Sequence, residues 1–235
     1  LRSFELTLGS TRGLKRCEVT LELPEGSGGG TGMKLWPAAF VLAEWLLSPA
    51  AEGLVAGRSV LELGAGAAAL PSVAAAAAGA RRVVATDGLQ GVVELLEHNL
   101  TRGGHKQIDA RRFEWREAPP QGLLPRRFDV VLFSDVVYTP RGGFFLADAV
   151  QRFVKRGGLV IGAAPENRGG PWADFCADIA WRDRAAEEAL VTEEVQEAAA
   201  FHSQASVEGG FSPGDPDGTG PGGPGDVKGV RIWLW

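Results

Sequence analysis

Apolar and polar side chains alternate over residues 3 to 8 and again over 16 to 23, with the turn-forming run Gly9-Ser10-Thr11-Arg12-Gly13 between them. A period of two turns one side of each segment toward a core, so the pattern predicts an N-terminal β-hairpin. A glycine-rich stretch, Gly26 to Gly32, follows. Pro37 stands at a first helical position, Phe40, Ala43, Leu46 and Leu47 share one face, and Ser48-Pro49 stops the periodicity. Residues 37 to 47 are therefore expected to be helical, because proline preorganises a helix start and disfavours helix in the residue before it.

From residue 58 apolar runs alternate with helical periods, as a parallel sheet covered on both faces requires. Strands are predicted at 58 to 63, 82 to 86, 108 to 114, 128 to 134 and 158 to 164, and helices near 70 to 79, 89 to 102, 143 to 155 and 171 to 189. Each connection is long enough for a right-handed crossover. Leu190 to Val195 and Val227 to Trp235 are weaker candidates for sixth and seventh strands. Between them the Gly/Pro-rich stretch 209 to 226 has no apolar period and reads as a disordered, solvated insertion or a long hairpin loop. The expected organisation is a hairpin and glycine-rich linker over 1 to 30, then one α/β domain over 31 to 235.

Composition narrows the function classes. The net charge is -5, and the arginine pairs (Arg81-Arg82, Arg111-Arg112, Arg126-Arg127) are scattered. No basic stripe forms, so nucleic acid is not an expected partner. The two cysteines, Cys17 and Cys176, lie far apart, and His98, His105 and His202 share no ligand spacing, so no metal is expected. Free thiols fit a reducing compartment, the cytoplasm with the nucleus as alternative. No apolar run is long enough to cross a bilayer and no signal-peptide pattern is seen, although the first residue is Leu1 rather than methionine.

The sharpest motif is Val60-Leu61-Glu62-Leu63-Gly64-Ala65-Gly66, an apolar strand running into two glycines. Such a turn brings backbone close to a ligand, but with Ala69 it also fits a dinucleotide fingerprint. Asp87 follows the next strand, 21 residues after Gly66, where an acid accepts ribose hydroxyls or caps a helix. Glu62 separates the nucleotide readings, since a carboxylate there suits a cationic sulfonium and an amino group better than a pyrophosphate. Phe128 to Ser134 reads as a buried parallel strand that delivers Asp135 and Tyr138 to its carboxyl end. An acid and a phenol three residues apart converge on one amine: the carboxylate accepts its N–H groups and the ring face favours its positive charge. No Tyr-x-x-x-Lys dyad follows, which argues against hydride transfer. Pro165-Glu166-Asn167-Arg168 follows the fifth strand at the same end.

From Thr31 to Arg168 the order Thr-Gly-x-x-Leu-Trp, Leu-Glu-Leu-Gly-Ala-Gly, Thr-Asp-Gly, a tryptophan after the third strand and Asp-Val-Val-Tyr resembles the seven-β-strand lysine methyltransferase family numbered 16. Its members act on calmodulin, elongation factors, chaperones and, in one branch, a histidine. The resemblance implies a three-layer Rossmann-like seven-strand methyltransferase fold, S-adenosylmethionine as methyl donor and a lysine side chain of a protein substrate as acceptor, in a monomeric protein. It also implies that Trp36 lies against the cofactor, that Glu62, Gly64 and Gly66 line its amino-acid and ribose end, and that Asp87 holds the ribose. Trp115 would flank the adenine, Ser134 would lie beside the cofactor, and Asp135 with Tyr138 would meet the acceptor. One departure is that Ala67-Ala68-Ala69-Leu70 stands where the family places another glycine soon after Gly66. A histidine or small-molecule acceptor and a non-catalytic binding protein are the alternatives, with a nicotinamide oxidoreductase behind them.

Overall fold

In the computed structural model, residues 1–9, 15–25, 30–121, 123, 127–139, 141–165, 169–181, 187–189, 195–197, 199–200 and 230–235 are described. The N-terminal alternation forms a hairpin: β1 (Arg2–Leu8) and β2 (Cys17–Leu23) pair antiparallel, Arg2 opposite Leu23 and Leu8 opposite Cys17. Every second residue, Phe4, Leu6, Leu8, Val19, Leu21 and Leu23, is buried in the main core, so the hairpin packs on the domain. α1 (Pro37–Leu47) starts and stops where its prolines dictate and buries nine residues, Glu44 among them.

Next come β3 (Ser59–Leu63), α2 (Leu70–Ala77), β4 (Arg82–Asp87), α3 (Gln90–Arg102), β5 (Ile108–Arg112), β6 (Phe128–Ser134), α4 (Gly142–Phe153), β7 (Val154–Pro165), α5 (Gly169–Trp181), β8 (Glu187–Ala189) and β9 (Val230–Leu234). The sheet has the order β5-β4-β3-β6-β7-β9-β8, parallel from β5 to β7, with β9 antiparallel to both β7 and β8. Alternate residues of the central strands face two separate cores. Val60, Val130 and Leu132 belong to the core with α1, α2 and α3, while Leu61, Leu63, Val131 and Phe133 belong to the core with α4 and α5. This is the three-layer, Rossmann-like arrangement expected.

The last third departs from expectation. Helix was predicted over 171 to 189, but α5 ends at Trp181 and residues 187–189 form β8. The segment Ala185 to Ala189 has helix-favouring composition, and pairing with β9 overrides it. Of the strand expected over Leu190 to Val195, residues 190–194 lie outside the described residues and Val195 is helical. β7 begins at Val154, immediately after α4, where helix was predicted to 155 and strand only from 158. Its register against β6 shifts between Phe128 and Val130, and Gly157 there has φ +69°, so the glycine pair forms an irregularity inside the strand. The hairpin turn 10–14, much of the 26–32 glycine stretch, the 209–226 stretch, residues 166–168 and His202 also lie outside the described residues.

Candidate active site

Strand order reverses between β3 and β6, and an open parallel sheet leaves a crevice at such a point, beyond its carboxyl ends. A cavity of about 640 Å³ lies there. Eight of the nine residues singled out from sequence line it: Trp36, Gly64, Gly66, Asp87, Trp115, Ser134, Asp135 and Tyr138.

The glycines sit where side chains would collide. Gly64 has φ +72°, and a Cβ there would stand 2.6 Å from Cγ1 of Val136; Gly66 has φ +63°, and its Cβ would stand 2.9 Å from the Gly32 carbonyl oxygen. The turn is fixed by backbone: Ala65 N–H donates to the Thr86 carbonyl and Ala67 N–H to that of Gly32, both at 2.8 Å. Ala69, at φ 43°, occupies the left-handed region although it is alanine. The loop reaches without a third glycine a conformation for which glycine is the usual residue.

Asp87 ends β4 with one carboxylate oxygen accepting Gly66 N–H and the other Leu89 N–H, each at 3.1 Å. Burial raises its pKa, and those N–H groups with that of Gly88 oppose the rise. Leu89, not Asp87, precedes the first residue of α3, yet the carboxylate does take a backbone donor at that end. The Trp36 indole N–H donates to the Thr31 carbonyl at 3.0 Å, which holds the ring at the cavity wall. Asp135, 6% exposed, lies just past β6 at φ 52°, its N–H donating to Ala163 at 2.8 Å. Tyr138 stands at the mouth, half exposed, its phenol oxygen 3.5 Å from Thr31 Oγ1.

Glu62 does not line the cavity. In β3 it shares the face of Val60, which looks toward α2, so its carboxylate is fully buried and accepts both the N–H (2.9 Å) and hydroxyl (2.5 Å) of Ser72. Burial pushes its pKa up to about 7, against the pull of Ser72. It ties the strand before the glycine turn to the helix after it, in contrast to the expected place beside the amino-acid end.

Sequence reasoning did not single out Lys34, Glu114, Arg116, Arg141 and Phe145, which also line the cavity. Glu114 sits beside Trp115, and its carboxylate would stand 3.0 Å from a Cβ on Gly88. Proximity to the tryptophan was the available signal. Arg141 and Phe145 arrive through the start of α4, for which the sequence carries no marker. His98 pairs with Glu22 at 2.9 Å, away from the cavity. Among the described residues there is no group of three metal-ligating side chains, and no helix is long and apolar enough to cross a membrane.

A family model described as lysine methyltransferase matches residues 15–171. The protein-lysine N-methyltransferase EFM3 of Chaetomium thermophilum is 33% identical over 141 residues, 54% of this chain and 40% of that protein. The protein-lysine N-methyltransferase EEF2KMT of Mus musculus is 34% identical over 125 residues, 48% of this chain and 36% of that protein. The chain thus spans less than half the length of either relative. The crystal structure of a methyltransferase from Pyrococcus furiosus aligns with a TM-score of 0.55 at 15% identity, covering 91% of this chain and 87% of that one, a likeness of fold.

Proposed function

As the chain belongs to the lysine methyltransferase family, we propose that it is an enzyme transferring a methyl group from S-adenosylmethionine to a lysine side chain of a protein substrate. The observation that carries this reading is the meeting, in one cavity, of a side-chain-free glycine turn with a buried carboxylate and a phenol one strand away.

The walls fit that cofactor. A Cβ at Gly64 or Gly66 would fill the cradle, Asp87 offers a carboxylate to hydroxyl groups, and Trp36 and Trp115 offer aromatic faces for an adenine or a sulfonium. In this reading Asp87 holds the ribose, Trp115 flanks the adenine, and Trp36, Gly64, Gly66 and Ser134 line the remainder. Glu62 supports the turn through Ser72. When bound, S-adenosylmethionine supplies an electrophilic methyl group on a cationic sulfur.

The protein's own task is alignment. Lysine has a pKa of about 10.4, so the amine must shed a proton before it can act as a nucleophile. Asp135 accepts an amine N–H and fixes the direction of its lone pair, Tyr138 presents its ring at the entrance, and the proton leaves through water. Positioning of this kind is worth on the order of 10²-fold in rate, so Asp135→Asn is expected to lower kcat/KM by about that factor. Asparagine tolerates positive φ nearly as well as aspartate, so the loss reports on the carboxylate. We read the protein as acting alone, in a reducing compartment that suits the free thiols of Cys17 and Cys176.

The test incubates purified protein with radiolabelled methyl donor and a lysate of its own source, beside the Asp135→Asn variant. A discrete labelled protein band, weak in the variant and mapped to methyl-lysine, is expected. Label in small molecules only, or full activity in Asp135→Asn, would overturn the reading.

A further inference from the structure

We propose that the mouth of the cavity selects lysines flanked by carboxylates, so that the substrate is an acidic segment of a protein chain. This rests on the methyl-transfer reading above. Among the described residues, the charged side chains lining the cavity besides Asp87 and Asp135 are Lys34, Glu114, Arg116 and Arg141. Glu114 and Arg116 pair with each other at 3.1 Å. Among the described residues, the side chains of Lys34 and Arg141 have no ion-pair or hydrogen-bond partner.

Lys34 follows Thr31 by three residues and Arg141 follows Tyr138 by three, and Thr31 and Tyr138 meet at 3.5 Å. The two cations therefore belong to the segments that come together at the rim beside Tyr138. The whole chain carries a net charge of -5, so this positive rim runs against its overall sign.

A protonated lysine approaching alone is repelled by both cations. A carboxylate beside it in the same chain reverses the sign of the encounter and fixes register. The rim cations then also favour the neutral amine, since nearby positive charge lowers its pKa. Tyr138 and Phe144, 53% and 54% exposed, add apolar surface, and Phe144 rests against Phe145 of the cavity wall with ring centroids 5.7 Å apart.

The test uses three dye-labelled peptides identical except that a single lysine is flanked by Glu, Gln or Arg. Methylation gives kcat/KM, and fluorescence anisotropy with S-adenosylhomocysteine present gives binding without turnover. The expected order is Glu above Gln above Arg, with at least about tenfold between the extremes at low salt and less at about 0.5 M salt. Lys34→Gln/Arg141→Gln is expected to collapse the order, and Lys34→Glu/Arg141→Glu to reverse it.

Equal binding of the three peptides overturns the proposal. So does an unchanged ranking in variants whose cofactor affinity has fallen, which would assign the two cations to the carboxylate of the cofactor. If no peptide is methylated although the cofactor binds, the lysine-acceptor reading fails, and the anisotropy ranking still decides the charge preference separately.

Discussion

At Gly64 two costs coincide for any side chain. Alanine would have to adopt φ +72°, which costs about 1–2 kcal/mol outside glycine, and its methyl would meet Val136 at 2.6 Å. Gly64→Ala is therefore expected to lower stability by about 2–4 kcal/mol, measured as a fall in urea midpoint at constant slope. Adding Val136→Ala should restore the steric part and leave the backbone part. Glu62 poses a different residue-scale question. Its folded pKa, about 7, lies above the ordinary 4.5, so the folded protein binds this proton more tightly than the unfolded chain does. The stability it contributes is full below pH 4.5 and is lost as pH rises through about 7. Glu44 shifts in the same direction, to about 7. Glu62→Gln keeps an oxygen for Ser72 and cannot ionise, so its stability should fall less steeply than that of the wild type between these values. Parallel denaturation curves for the two proteins across that window would contradict the assignment.

At the scale of elements, α3 ties the hairpin to the glycine turn through one buried side chain. Asn99 donates to the carbonyls of Glu22 in β2 and Ala67 in the glycine turn, both at 3.0 Å, and accepts the Glu22 N–H at 2.8 Å. Ala67 in turn donates to Gly32, so the hairpin, the glycine turn and the rim segment share one hydrogen-bonded chain. Asn99→Leu leaves buried backbone groups unpaired and should cost on the order of 2–4 kcal/mol. Hydrogen exchange should quicken at Glu22 and Ala67 together, and cofactor affinity should fall; a change confined to α3 would show that the elements are not coupled this way. Residues 187–189 teach the converse. Their alanine and glutamate content favours helix, and only the presence of β9 makes them a strand.

For the molecule as a whole, the sheet reversal and the glycine turn create one ligand crevice, and binding there should raise global stability. A ligand at about 100 times its Kd adds about 2.7 kcal/mol, which for a domain of this size raises Tm by about 5–10 °C. S-adenosylmethionine and S-adenosylhomocysteine are expected to produce that rise, and NAD at the same concentration none. A rise with NAD alone would restore the nicotinamide reading. Much of this crevice was legible beforehand, because Gly64, Gly66, Asp87, Asp135 and Tyr138 all follow apolar runs whose ends must open at one edge of a parallel sheet. Lys34 and Arg141 were not, since a surface cation has no periodicity and its meaning depends on what lies across the cavity.

Short-range pattern alone determined the hairpin, α1, the parallel strands β3 to β6 and the position of most site residues along the chain. These depend on side-chain alternation, helix-stopping prolines and glycine turns, all of which act within a few residues. Tertiary structure decided the rest: the antiparallel seat of β9, the conversion of 187–189 to a strand, the burial of Glu62 against Ser72 and the charge of the rim. Each depends on a partner far away in sequence. The energy of such a pairing is a property of the assembled sheet, and no local propensity encodes it.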